Sequence, residues 1–110
     1  MIPYDPLGFI TRCLRERKIL WTYHVHMRLE GRSLSREELL SGITSLEIIE
    51  AYPQDKYLPS YLLYGKAGDK AFHVLIATDV AGDNVRIVTA YEPDPAEWDK
   101  SLKVRKGKVQ

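Results

Sequence analysis

Apolar positions along this chain follow two rhythms in turn. Leu7, Ile10 and Leu14, with Cys13 beside them, fall three and four apart. That spacing predicts a first helix from about Pro6 to Arg17, with Asp5 as its cap and proline in its first turn. Trp21-Thr22-Tyr23 reads as a break, and Thr22 as a cap for a short second helix that Gly31 ends or loosens. Ser35-Arg36-Glu37-Glu38 has the form of a capping box, and Leu39, Leu40 and Ile43 follow as the buried edge of a third helix, with Gly42 near its end.

The rhythm then shortens. Leu46 to Tyr52, Tyr61 to Tyr64, Ala71 to Thr78 and Val85 to Tyr91 are rich in β-branched and aromatic residues. Turn-forming residues separate them: Pro53-Gln54-Asp55, Gly65 to Asp69 and Ala81 to Asn84. Four strands with short connections predict an antiparallel meander. Helices first and strands later predict an α+β domain, two or three helices on a four-stranded antiparallel sheet. Asp94-Pro95-Ala96-Glu97 predicts a short last helix carrying Trp98. The basic stretch 103–110 reads as a flexible tail beyond a single domain of residues 1–102.

Alternation assigns faces. Phe72, Val74 and Ile76 oppose His73, Leu75 and Ala77; Val85, Ile87, Thr89 and Tyr91 oppose Arg86, Val88 and Ala90. Such strands are covered on both faces, or on one face by a partner. If the helices cover one face alone, the other is a candidate interface, for another protein or in a homodimer.

Composition narrows the class. The chain has 110 residues, 45% of them hydrophobic and 28% charged, which suits one soluble domain with one core. No apolar run approaches the roughly 20 residues of a membrane span, and no signal peptide is recognisable. One cysteine excludes an internal disulfide and makes the cytoplasm the expected compartment. The net charge of +1 hides an asymmetry: residues 1–36 carry seven Lys/Arg against three Asp/Glu, residues 37–99 four against twelve, and residues 100–110 five against none. Basic ends around an acidic middle permit a polyanion at one edge, not over the whole surface.

Candidate chemistry begins with His24, Arg28 and Arg32, four apart and so on one face of a helix. A group that titrates near neutrality stands there with two fixed cations. Metal-independent RNA cleavage needs a base for the 2′-hydroxyl, a cation for the charged phosphorane and an acid for the leaving oxygen. His24 or His73 suits base or acid, Arg28 a bidentate phosphate grip, Arg32 a second contact, and Tyr91 a hydrogen bond to the developing charge. Lys70 and Arg86 are further cations for the substrate, although alternation puts Arg86 on the face opposite Tyr91. Each residue also has a plain structural reading. His24 suits a core imidazole bonded to a backbone carbonyl, and His73 a packed, satisfied residue inside an apolar strand. Tyr91 suits a strand-end anchor, and Arg28 a salt bridge to an acid such as Glu50. Tyr52, Tyr57, Tyr61 and Tyr64 suit core and rim, with bases able to stack on exposed ones. Neither Cys-x-x-Cys nor His-Glu-x-x-His occurs, so neither a metal site nor a cofactor is expected.

Taken in order, several segments resemble one family, the domain of unknown function DUF4258. They are His24 to Arg28 with Arg32-Ser33-Leu34-Ser35, Ile48 to Asp55, Leu58-Pro59-Ser60, Ala71 to Ala77, and Val88 to Asp94 with Trp98 behind. Ser33 stands where that pattern usually has glycine. The helix-then-meander layout is similar to the RelE/BrnT/MqsR group of ribonuclease toxins. The resemblance implies an mRNA-cleaving toxin with a cognate antitoxin, of the YgiT zinc-finger type, as partner. The alternative is a non-catalytic module of the same fold that binds protein through the sheet face or an edge strand.

Overall fold

The structure is a computed structural model and describes residues 1–22 and 34–106. The predicted second helix, with His24, Arg28 and Arg32, lies outside the described residues. Helix α1 spans Pro6–Arg15. Asp5 caps it by accepting from the Gly8 N–H at 3.1 Å. It stops two residues short of the expected end, because Arg17 takes a left-handed backbone (φ 62°) and turns the chain into a strand. Helix α2 spans Arg36–Ser41 and carries the predicted capping box, with the Ser35 N–H donating to Glu38 at 2.8 Å. One 3₁₀ turn, Ile43–Ser45, leads into the sheet.

The sheet has five strands, not four, and is mixed, not antiparallel. They are β1 (Ile19–Trp21), β2 (Glu47–Tyr52), β3 (Ser60–Ala67), β4 (Lys70–Asp79) and β5 (Asn84–Tyr91), in the order β1-β5-β4-β3-β2. The expected meander is present as β2 to β5, all antiparallel neighbours. The extra strand comes from residues assigned to no element or, at Trp21, to a break: Ile19, Leu20 and Trp21 pair in parallel with Val85, Arg86 and Ile87. Three residues are too few for a sequence period to register, and only the exposed edge of β5 makes them a strand.

The core lies between the sheet and the helices. Ile10, Cys13 and Leu14 of α1 and Leu39 of α2 meet Tyr61, Leu63, Phe72, Val74, Ile76, Val85, Ile87 and Ala90. Phe72 fits because two glycines face its ring; a β-carbon on Gly65 or Gly42 would stand 2.6 or 2.7 Å from it. At the far corner Asp83 is held by Arg12 and Lys18, joining α1 and the start of β1 to the β4–β5 turn. Those two cations, Arg12 foremost, pull the Asp83 carboxyl down to about 2.

One irregularity changes the face assignment. Leu75 pairs with Thr89 but Ile76 with Ile87, so Val88 is an extra residue, a β-bulge. Beyond it the alternation of β5 is inverted. Ala90 joins Val85 and Ile87 over the core, while Thr89 and Tyr91 join Arg86 on the outer face. Arg86 and Tyr91 therefore share a face, contrary to the strict alternation expected.

The expected C-terminal helix is a turn instead. Glu97 and Trp98 both return N–H bonds to the Asp94 carbonyl, at 2.9 and 3.1 Å. The chain then lies across the outer sheet face. Trp98 bridges to Arg105, and Lys106 bonds back to Glu97 at 2.8 Å. Residues 103–106, expected to be loose, are thus seated on the sheet; 107–110 lie outside the described residues.

Candidate functional site

Pairing in register puts the outer-face residues into three rows. Glu47, Tyr64, His73 and Tyr91 form the first. Glu50, Leu62, Leu75 and Thr89 form the second, and Tyr52, Ser60, Ala77 and Arg86 the third. The C-terminal segment covers the first row, Trp98 lying 4.4 Å from His73, ring centre to ring centre, edge to face. Over the second row the face stays open as a cleft of about 350 Å³. Leu62, Leu75 and Thr89 make its floor, and Tyr52, Asp55, Tyr91 and Arg105 its walls.

His73 is fully enclosed. Its Nε2 lies 2.6 Å from the Leu102 carbonyl and its Nδ1 3.3 Å from the Tyr91 hydroxyl. A carbonyl only accepts, so Nε2 carries the proton and donates it. In the neutral ring Nδ1 then accepts from Tyr91. Burial pushes the imidazole pKa below 6.5, against the Leu102 carbonyl, which raises it. His73 therefore orients Tyr91 from beneath and does not reach a molecule in the cleft. The sign of its pH effect follows. The unfolded chain binds a proton near 6.5 that the native imidazole takes up only at lower pH, so stability falls as pH drops through 6.5 toward the native value. We expect the urea midpoint to fall between about pH 7 and 5. In His73→Gln, which keeps a donor for Leu102 and cannot titrate, that fall is smaller.

Tyr91 is half-buried at the cleft wall. Arg86 lies in the third row with its guanidinium 3.5 Å from Asp79. Lys70 is elsewhere: it starts β4 on the helix side, where its ammonium meets Glu38 at 2.6 Å. The structure therefore brings together His73 and Tyr91, puts Arg86 on their face, and separates Lys70 from them. Among the described residues no group of three His, Cys, Asp or Glu is placed to hold a metal ion.

Three cleft residues, Tyr52, Asp55 and Arg105, and the Glu50 carboxylate behind them had no part in the expected chemistry beyond stacking at Tyr52 and a salt bridge at Glu50. Glu50 is almost enclosed, its side chain 8% exposed, and receives the Arg105 guanidinium through Nε at 2.8 Å and Nη2 at 3.3 Å. That pair holds Arg105 charged. Tyr52 donates to the same carboxylate, and burial followed by this bond raises its phenol pKa. Asp55 accepts from the Ser60 hydroxyl across the β2–β3 connection. The available signal was the motif Tyr52-Pro53-Gln54-Asp55 with Pro59-Ser60, which reads locally as a turn. Arg105 carried no signal, since it reaches the cleft only because the C-terminal segment folds back.

These features define a small α+β domain with a half-covered sheet face and a polar-walled cleft. A family model described as Domain of unknown function (DUF4258) matches residues 21–92, well over half of the chain, and the chain belongs to that family. No curated protein and no solved structure matches it. The C-terminal segment that covers the first row lies beyond the matched residues. Among the described residues no helix is long and apolar enough to cross a membrane.

Proposed function

We propose that this protein acts on RNA as a metal-independent endoribonuclease of the RelE/MqsR-like toxin type, with the outer-face cleft as the place where a nucleotide is held. The observation that carries the reading is the cleft itself: an apolar floor, two phenolic walls and a guanidinium, with Tyr91 braced by a buried imidazole. Its volume is at the low end of small-molecule sites, which suits one nucleotide rather than a duplex. The chain enters the 23–33 stretch from Thr22, whose hydroxyl bonds to the Ile87 carbonyl at 3.0 Å, next to the bulge. His24 follows Thr22 by two positions, and we assign it the proton transfer, Arg28 and Arg32 the phosphate, and Tyr91, whose own O–H is given to His73, a hydrogen bond accepted from the reacting hydroxyl. His73 is a positioning residue in this scheme. A cognate antitoxin would then silence the protein by covering the cleft.

The test is induced expression in a bacterial host, with cleavage of a defined RNA by purified protein in chelator. Wild type arrests growth, depletes bulk mRNA and cuts RNA without metal. His24→Ala, Arg28→Ala and Tyr91→Phe each lose at least tenfold in cleavage while remaining folded. Normal growth and intact RNA with well-folded wild type would remove the nuclease.

A second reading has its own support. His73 is enclosed, and Lys70 and Arg105 are held in ion pairs. Those placements suit a non-catalytic module that binds protein on the open part of the same face. It predicts that none of the three substitutions changes growth.

A further inference from the structure

The motif-bearing connection between β2 and β3 has no role in that scheme, although it builds one end of the cleft. It carries Asp55 into the wall beside Tyr52, the last residue of β2, and then Tyr57, which is 89% exposed. Tyr57 also holds a left-handed backbone, φ 79°, a conformation costly for a bulky residue. The Lys56 ammonium stands 5.4 Å from the centre of its ring. The loop thus holds an aromatic ring outward, on strained backbone, beside a cation.

We propose that this end of the cleft is a guanine subsite, an inference that rests on the RNA reading above. The argument starts from charge. Glu50 is neutralised by Arg105, so Asp55 is the charge that disfavours phosphate along its wall, and that wall takes the uncharged part of a nucleotide, the base. The Leu62–Leu75–Thr89 floor offers an apolar surface for a flat ring. An ionised carboxylate only accepts. Ser60 fixes the Asp55 carboxylate by one bond, and its acceptor capacity, roughly four lone-pair sites, exceeds that bond. Among the four RNA bases, guanine alone presents two adjacent donors, N1–H and the N2 amino group, to a bidentate acceptor. Adenine and cytosine put a ring nitrogen lone pair where the second donor should be. Uracil flanks its single N–H with two carbonyls, which a carboxylate repels. Arg105 complements the neighbouring edge: a guanidinium has five donors, and the two bonds to Glu50 and the one to Tyr52 leave capacity for guanine O6 or N7. Tyr57, outside the cleft, is placed to stack on the neighbouring base.

The test measures binding, which needs no cleavage. Guanosine, adenosine, cytidine and uridine 3′-monophosphates are titrated into the full chain and followed by calorimetry and by amide NMR shifts. We expect guanosine monophosphate to bind at least tenfold tighter than the others and to shift β3, β4 and the 52–60 loop. Asp55→Asn, checked for fold by circular dichroism, brings the four to within about twofold, since its amide replaces one acceptor by a donor. Tyr57→Ala leaves that mononucleotide preference intact and weakens a dinucleotide. Equal binding of all four, binding of none, or a guanine preference that survives in folded Asp55→Asn overturns the subsite. Guanine-selective binding without RNA cleavage keeps the subsite and removes the nuclease. Cleavage with no guanine preference does the reverse.

Discussion

Trp98→Ala lowers the unfolding free energy by about 3–5 kcal/mol, the usual cost of truncating a buried large aromatic. Trp98 lies outside the family match, yet it is only 3% exposed. Its ring meets His73 edge to face, and the Arg105 guanidinium lies 4.6 Å from its centre on the strap above. Removing the indole leaves a void over the first row and loosens three further contacts of that strap. These are the Leu102 carbonyl on His73, Lys103 on Glu47 and Arg105 on Glu50. The Glu50 carboxylate, almost enclosed, then loses much of its compensating charge, which adds to the cost. Urea unfolding measures the loss. A second readout is local: with its cover gone, the His73 pKa climbs back toward 6.5, and a ring-proton titration follows it. A Trp98→Ala protein with an unchanged midpoint and an unchanged His73 titration would mean that the strap is not seated on the sheet.

Phe72→Ala has a comparable expected effect, about 3–5 kcal/mol, from the other side of the sheet. Phe72 has no exposed surface and sits over Gly65, its partner on β3, and against Gly42 at the end of α2. Deleting the ring leaves a cavity that neither glycine can fill, because neither has a side chain to relax into it. The complementary change, Gly65→Ala, overpacks the same place, and its cost is about 1–3 kcal/mol because the ring has nowhere to move. Combined with Phe72→Leu, the Gly65→Ala penalty shrinks, since the smaller side chain makes room for the added methyl. Denaturant midpoints of the two single variants and the pair test this, and strict additivity would sink it.

How much could be read in advance depended on how local the cause was. The α1 cap at Asp5, the capping box of Ser35 and Glu38, and the meander of β2 to β5 all follow from patterns a few residues long. Propensity, turn chemistry and periodicity act on that scale. Phe72, Val74 and Ile76 were correctly grouped on one face because β4 keeps strict alternation over that stretch, and the structure makes that face the core. The phase of β5 was not legible, because the bulge at Val88 depends on how two strands register and not on the composition of either. His73 shows the same division. Its place as a packed, satisfied residue in an apolar strand was foreseen as one reading, but the carbonyl that satisfies it belongs to Leu102, 29 positions away.

By itself, then, the sequence determined the layer order, the strand that carries His73, the acidic middle of the chain and membership of the family. Those properties are short-range or additive. The tertiary structure alone decided that Ile19–Trp21 is a strand, that Tyr91 and Arg86 share a face, and that Arg105 and Asp55 wall one cleft. Each depends on bringing together segments that are distant along the chain. The gain of such a pairing exists only once both partners are in place, so no window of sequence carries it.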